Sequence, residues 1–241
     1  MKAEKIKYPM GSLTAEGAAV YDESIAGKRP AVLMAPNWMG MTEQAIERAK
    51  LVAGDRYFVL VADMYGEGTR PADFGAAAQL ANPLRANAVE QRQRIRAAYD
   101  ALIAEGTKRN LIDNCRAAVG FCFGGGNVLE LARDGADIAA AVSIHGDLKT
   151  ALAAQQGAVK AKLLVAHGAP DPVAPKADRD AFEAEMDAAG AKWQMLVFSG
   201  VLHAYTDDAT IPGVAAWHEP ATRYTYALTH QFIADAFASR L

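Results

Sequence analysis

The stretch GFCFGGGN, Gly120 to Asn127, decides how the rest of the sequence is interpreted. It sets one cysteine among glycines and follows directly on the apolar run Ala117–Val119, which predicts the end of a buried strand. Glycine is favoured where a backbone turns sharply or passes close to another element. The sequence therefore predicts a tight strand-turn-helix unit with Cys122 at its apex.

Two phosphate-binding motifs are poor matches to this turn. Gly120 and Gly125 have the spacing of a P-loop, but Lys and Ser or Thr do not follow the second glycine. A dinucleotide fingerprint starting at Gly124 would place its third glycine at Leu129, and the turn lies half-way along the chain. An oxidoreductase with a bound nucleotide is therefore the least favoured class.

The better match is a nucleophile elbow, Gly-x-nucleophile-x-Gly, here Gly120-Phe121-Cys122-Phe123-Gly124. Larger side chains at the two glycine positions would collide with the neighbouring strand and helix, and the turn lifts the sulfur out of the sheet. The positive end of the helix that follows favours a thiolate. The alternative is that Cys122 is only a small buried residue in a tight turn.

The composition is that of an ordinary globular protein. The 241 residues are 51% hydrophobic and 22% charged, which predicts one α/β domain over residues 1–241. A net charge of -3 without basic runs argues against nucleic-acid binding. Without an apolar leader or a membrane-length apolar run, we expect a cytoplasmic protein that does not bind membranes. Cys115 and Cys122 are poorly placed for a disulfide, and no metal or cofactor is expected.

Strand and helix patterns alternate along the chain, which predicts a mostly parallel central sheet with helices on both faces. Lys5–Met10 and Ala18–Tyr21 are expected to pair as an edge hairpin, and Gly66–Pro83 is interpreted as a loop over one end of the sheet. The other predicted strands are Ala31–Ala35, Tyr57–Ala62, Ala117–Phe121, Ala139–Ile144, Lys162–His167 and Trp193–Phe198. The predicted helices are Thr42–Ala53, Arg85–Glu105, Pro175–Ala189 and Thr222–Phe237.

A nucleophile at an elbow needs a base and an acid that orients the base, and these come in the chain order nucleophile, acid, histidine. Asp171 lies between two prolines in HGAPDPVAP, directly after a predicted strand. His203 lies in SGVLHAY, after the next predicted strand. We therefore predict that Asp171 and His203 act with Cys122.

Other acids and histidines compete less well for these roles. Asp147 is the most plausible substitute acid because it also follows a strand, whereas Asp207 and Asp208 come just after His203. His145 is expected to line the pocket wall and His167 to pack under the acid loop. For His218 and His230, in the region of the last helix, a surface or packing role is the better interpretation.

Two backbone amides are predicted to bind a developing oxyanion. One belongs to Phe123, the residue after the nucleophile, and the other to Trp38 in the loop APNWMGMTE. Asn37, Met39, His145 and Tyr205 are predicted to line the substrate pocket beside them.

With these residues the chain resembles the dienelactone hydrolase family, whose members commonly carry a cysteine in a Gly-x-Cys-x-Gly-Gly turn. The resemblance runs from Ala31–Ala35 through the last helix and includes the loops with Asp171 and His203. It implies the α/β-hydrolase fold and cleavage of a small-molecule carboxylic ester or lactone by a Cys-His-Asp triad through a thioester, without a cofactor.

The sequence departs from that family at two places. Members that cleave dienelactone often have a glutamate where Asn37 stands here, and an amide cannot take up a proton from the thiol. They also place an arginine shortly after the histidine, whereas this chain reads HAYTDD. The alternative function is a weakly catalytic binding or redox-sensing protein on a hydrolase scaffold.

Overall fold

The computed structural model describes residues 1–239, which contain eight strands and six helices. The strands are β1 Lys2–Met10, β2 Leu13–Tyr21, β3 Arg29–Ala35, β4 Phe58–Val61, β5 Ile112–Phe121, β6 Ala140–Ile144, β7 Lys162–Gly168 and β8 Lys192–Phe198. The helices are α1 Glu43–Ala53, α2 Phe74–Ala86, α3 Ala88–Lys108, α4 Phe123–Arg133, α5 Lys176–Ala188 and α6 Glu219–Ala238. All of the predicted strands are confirmed, with shifted ends.

The eight strands form one sheet in the order β1-β2-β4-β3-β5-β6-β7-β8. The pairs β1/β2 and β2/β4 are antiparallel, as expected for an edge hairpin, and every pair from β4/β3 to β7/β8 is parallel. The carboxyl ends of the parallel strands therefore meet at one edge of the sheet, where their loops lie side by side.

Helices cover both faces of the sheet, which confirms the predicted layers. Alternate residues of β3 face opposite sides, with Leu33 in one core cluster and Val32 in the other. Ile95 of α3 and Phe182 of α5 pack in the first cluster, and Phe232 of α6 packs in the second. The strands are thus apolar on both faces, which fixes the sheet between two helical layers.

The prediction was wrong in the segment that follows β4. The range interpreted as the loop Gly66–Pro83 contains most of α2, which begins where Asp73 Oδ1 accepts the Ala76 N–H at 2.8 Å. The predicted single helix Arg85–Glu105 is broken at Asn87, whose backbone angles of φ -127° and ψ 83° are not helical and whose side chain caps α3. In this segment the helix-forming alanines and the capping aspartate outweigh the glycine and proline residues, which disfavour a helix.

Backbone contacts at the turn between β5 and α4 explain its glycines. Cys122 has φ 53° and ψ -121°, a strained conformation for a residue with a side chain. A Cβ atom on Gly120 would lie 2.0 Å from Gly124 O, and one on Gly124 would lie 2.1 Å from Ala35 O. Because only glycine permits these approaches, the turn holds Cys122 above the sheet and against the loop after β3.

We expect Gly120→Ala to lower the free energy of unfolding by about 3 kcal/mol, because the added methyl collides with backbone that cannot move aside. Gly75→Ala, in helix α2, is the control, since its Cβ would meet only the Asp73 side chain, at 3.2 Å. Urea denaturation of both variants measures the difference. Equal stabilities would show that the close approach at the turn does not constrain the sequence.

Candidate active site

The structure brings Cys122, His203 and Asp171 together at the carboxyl edge of the sheet. His203 Nε2 lies 3.3 Å from Cys122 Sγ, and His203 Nδ1 lies 2.9 Å from Asp171 Oδ2. The three residues come from the turn after β5, the loop after β7 and the loop after β8. The imidazole therefore bridges the thiol and the carboxylate, the geometry of a base held by an acid.

The loop after β7 fixes the Asp171 carboxylate. Its Oδ1 accepts the N–H groups of Val173 at 2.8 Å and Ala174 at 3.2 Å, which leaves Oδ2 for His203. His167 lies beneath, with Nδ1 3.6 Å from the same Oδ2. This contact agrees with the prediction that His167 packs under the acid loop.

The pKa values of His203 and Asp171 depend on the charges of the side chains around them. Burial opposes protonation of His203, but the charge of a Cys122 thiolate and the hydrogen bond to Asp171 raise the pKa of His203 to about 10. Burial works against the charge of Asp171 too, yet its contacts with His167 and His203 hold the pKa of Asp171 well below its ordinary value. When Cys122 is ionised, a protonated His203 therefore balances its charge.

A cavity of about 390 Å³ opens above Cys122 and His203. Its apolar lining comes from Trp38, Met39, Phe74, Val173, Ala204, Ala209, Ile211, Val214 and Ala215. Its polar lining, besides Cys122 and His203, comes from Asn37, Gln44, Asn82, Arg85, Asp147 and Asp207. Phe74, Asn82 and Arg85 belong to α2, so the segment predicted to cover this end of the sheet does so as a helix.

Tyr65 holds together the two segments that carry the predicted oxyanion amides. Its hydroxyl donates to Trp38 O at 2.8 Å, and its ring stacks on the Phe123 ring with centroids 6.0 Å apart. Within residues 1–239, neither the Trp38 N–H nor the Phe123 N–H is engaged in a hydrogen bond. The Met39 amide, by contrast, donates to Asn37 Oδ1 at 3.0 Å. Tyr65 was not predicted as a site residue, because it follows β4 without a recognisable motif.

Two of the four predicted pocket residues, Asn37 and Met39, line the cavity, and the other two do not. The side chains of His145 and Tyr205 are fully buried, so the prediction for them is corrected. His145 lies behind His203, with ring centroids 5.3 Å apart, and its Nε2 is 2.8 Å from Thr206 Oγ1. Burial lowers the pKa of His145 to about 3, which keeps it neutral.

Known proteins that are similar to this chain have the same architecture as the fold described above. The sequence model of the dienelactone hydrolase family matches residues 17–237. The chain belongs to the dienelactone hydrolase family. The family is one of hydrolases, and its fold is the predicted α/β-hydrolase fold.

Solved structures of similar proteins cover nearly the whole chain of this family member. A dienelactone hydrolase-like promiscuous phosphotriesterase from metagenomic libraries is 31% identical, covers 98% of both chains and has a TM-score of 0.89. A protein named m3DLH is 32% identical over 98% of both chains, with a TM-score of 0.90. A Klebsiella pneumoniae protein is 20% identical, covers 97% of this chain and 98% of its own, and shares the fold with a TM-score of 0.80. A comparison with curated protein sequences gives no match.

The two segments in which this sequence departs from the family pattern are in contact with each other. Asn37 Nδ2 donates to Asp207 Oδ2 at 2.8 Å, and Asp207 Oδ1 lies 2.7 Å from Arg48 Nη1. Arg48 also donates to Thr206 O at 3.0 Å. Asn37 therefore ties its loop to the segment after His203, with the charge of Asp207 balanced by Arg48 of α1.

Asp147 does not orient His203 in this arrangement. Its Oδ2 lies 2.7 Å from Arg85 Nε, and the two side chains face the cavity together. Asp208 is exposed, and its nearest described polar contact is Gln44 Nε2 at 3.5 Å. Neither Arg85 nor Arg48 was singled out from the sequence, because their partners are distant along the chain.

The remaining histidines lie elsewhere. His218 caps α6, accepting the Ala221 N–H at Nδ1, and His230 stacks on Tyr57. Within the described residues, no group of three or more His, Cys, Asp or Glu side chains has a metal-binding arrangement. Among the helices described, none has the length and apolar character needed to span a membrane.

We expect Cys122→Ala to lower the pKa of His203, because the thiolate is the largest contribution that raises it. The imidazole NMR signals of His203, followed between pH 6 and 10, measure this. Cys115→Ala, which removes the thiol near the other end of β5, is the matched control and leaves the titration unchanged. An unaltered His203 titration in Cys122→Ala would mean that the charge of Cys122 does not affect the pKa of His203.

We expect Asp207→Asn to lower the free energy of unfolding by about 3 kcal/mol at pH 7, because it leaves Arg48 buried without a counter-charge. Asp208→Asn, at the exposed neighbouring position, is the control. Burial opposes the charge of Asp207, but Arg48 lowers its pKa below the ordinary 3.8, so its contribution is lost as the pH falls below that value. Urea denaturation at pH 7 and pH 3 should show the difference at pH 7 and a smaller one at pH 3.

Proposed function

We propose that this chain hydrolyses carboxylic esters or lactones, with Cys122 as nucleophile, His203 as acid and base, and Asp171 as the residue that orients His203. The observation that carries the proposal is the row of contacts from Asp171 through His203 to the Cys122 sulfur at the floor of the cavity. A hydrolase of the dienelactone hydrolase family with this arrangement has the parts that acyl transfer to water requires.

In the first half of the reaction the Cys122 thiolate attacks the substrate carbonyl. The carbonyl oxygen takes up the negative charge and accepts hydrogen bonds from the Trp38 and Phe123 amides, each worth about 3 kcal/mol in comparable sites. The protonated His203 then donates its proton to the departing alcohol oxygen. A thioester between the acyl group and Cys122 is left.

In the second half His203, now neutral, removes a proton from water as the water attacks the thioester. Collapse of the tetrahedral intermediate releases the carboxylic acid and returns Cys122 as a thiolate beside a protonated His203. Asp171 holds the imidazole with Nε2 toward the sulfur in both halves and stabilises its positive charge. The cycle consumes one water for each ester bond and uses only side chains and backbone amides of the chain.

A second candidate reaction is hydrolysis of phosphotriesters. It is favoured by the 31% identity over 98% of both chains with a protein named as a promiscuous phosphotriesterase. Attack of the same thiolate on phosphorus would expel an aryl alcohol and leave a phosphorylated cysteine for water to cleave. Both reactions use the same nucleophile and base.

The alternative of a binding or redox-sensing protein is disfavoured by the geometry. A sensor has no use for a histidine that is held between the thiol and a buried carboxylate.

We expect Cys122→Ala to lower kcat/KM for p-nitrophenyl acetate by at least about 10³-fold. Intact mass spectra recorded during turnover should show an added acetyl group on the wild type only. Cys115→Ala is the matched control and should retain the wild-type rate. Stable acetylation without turnover would favour the binding or redox function, and equal rates in wild type and Cys122→Ala would remove Cys122 from the mechanism.

A further inference from the structure

The charged side chains that line the cavity are all paired with an opposite charge. Arg85 Nε lies 2.7 Å from Asp147 Oδ2, and Asp207 Oδ1 lies 2.7 Å from Arg48 Nη1. Cys122 and His203 also face each other, with His203 Nε2 3.3 Å from the Cys122 sulfur. Among the described lining residues no cation is left over to balance a charged substrate.

Among the described lining residues Arg85 carries the one guanidinium, and two of its three nitrogens are engaged. Besides the Asp147 contact, its Nη1 donates to Asn82 Oδ1 at 3.0 Å, and its guanidinium carbon lies 5.2 Å from the centre of the Phe123 ring. The side chains of Arg85 and Asp147 are 25% and 17% exposed. A substrate carboxylate that formed an ion pair with Arg85 in place of Asp147 would leave the largely buried Asp147 carboxylate unpaired, which is unfavourable.

The rest of the surroundings also disfavour an anion. Val173, Ile211, Val214 and Ala215 add apolar surface to the lining. At the mouth, exposed Asp208 lies 3.5 Å from Gln44, which lines the cavity, and adds a negative charge without a described cationic partner. A substrate carboxylate that entered this site would lose its hydrating water without gaining a counter-ion, which is unfavourable.

We infer that the substrates of this site are uncharged esters or lactones, and that Asp147 excludes anionic ones by neutralising Arg85. The inference rests on the proposed function, because it names the substrate class of the same cavity. Asp147 is thus a specificity-determining residue: it sets the charge that the cavity accepts, without taking part in acyl transfer.

The first test compares two 4-nitrophenyl esters with the same reacting group, mono-4-nitrophenyl adipate, which ends in a carboxylate, and methyl 4-nitrophenyl adipate, which ends in an uncharged methyl ester. Wild type should hydrolyse the uncharged methyl ester with kcat/KM at least about tenfold higher. Asp147→Asn, which frees Arg85, should reduce that preference about tenfold, and Arg85→Gln should increase it. Equal rates for the two esters with the wild type would overturn the inference.

The second test does not require turnover. It measures the rates at which iodoacetate and iodoacetamide alkylate Cys122, which is identified by peptide mass. The ratio of the iodoacetate rate to the iodoacetamide rate should rise about tenfold in Asp147→Asn, and the rise should shrink in high salt. Asp178→Asn is the matched control, because it removes the same charge from a pair with Lys149 outside the cavity lining.

The two tests separate the possible failures. If neither ester is hydrolysed but the alkylation ratio rises in Asp147→Asn alone, the proposed function fails and the charge selectivity of the cavity stands. If the ratio is the same in wild type, Asp147→Asn and Asp178→Asn, the selectivity is overturned even where ester hydrolysis is found.

Discussion

The close approach between the end of β5 and the start of α4 is the constraint on which the site depends. Glycines at positions 120 and 124 let two backbone segments touch, and this contact forces Cys122 into a conformation that side chains avoid. A second close approach, between Gly124 and Ala35 O, places the start of α4 against the end of β3. These close backbone contacts therefore fix both the position of the Cys122 sulfur above the sheet and the position of the loop that carries Trp38.

The parts of the fold that depend on local sequence could be predicted. Cys122, Asp171 and His203 each follow an apolar strand, and parallel strands bring such loops to one edge of the sheet. Helix α2 could not be predicted in the same way, since Asp73 and the alanines after it compete with glycine and proline signals of opposite meaning. There the local signals disagreed, and the sequence alone did not show which would prevail.

The walls of the site depend on contacts between distant positions, which a single sequence does not reveal. Asn37 and Asp207 are separated by 170 positions, and Arg85 and Asp147 by 62. Of the two acids in the HAYTDD segment, Asp207 lines the cavity and is paired with Arg48, whereas Asp208 is exposed. His145 and Tyr205 were misplaced because a loop position does not tell whether a side chain points into the cavity or beneath it.

Tyr65 has a consequence for how the chemistry would begin. Its hydroxyl fixes the carbonyl of Trp38 while its ring packs on Phe123, so one phenol holds the segments of both proposed oxyanion donors before any substrate arrives. Dipoles that are already aligned in the folded protein need no reorganisation when charge develops on the substrate. The alignment of the two proposed donors would therefore be a property of the folded core of this hydrolase.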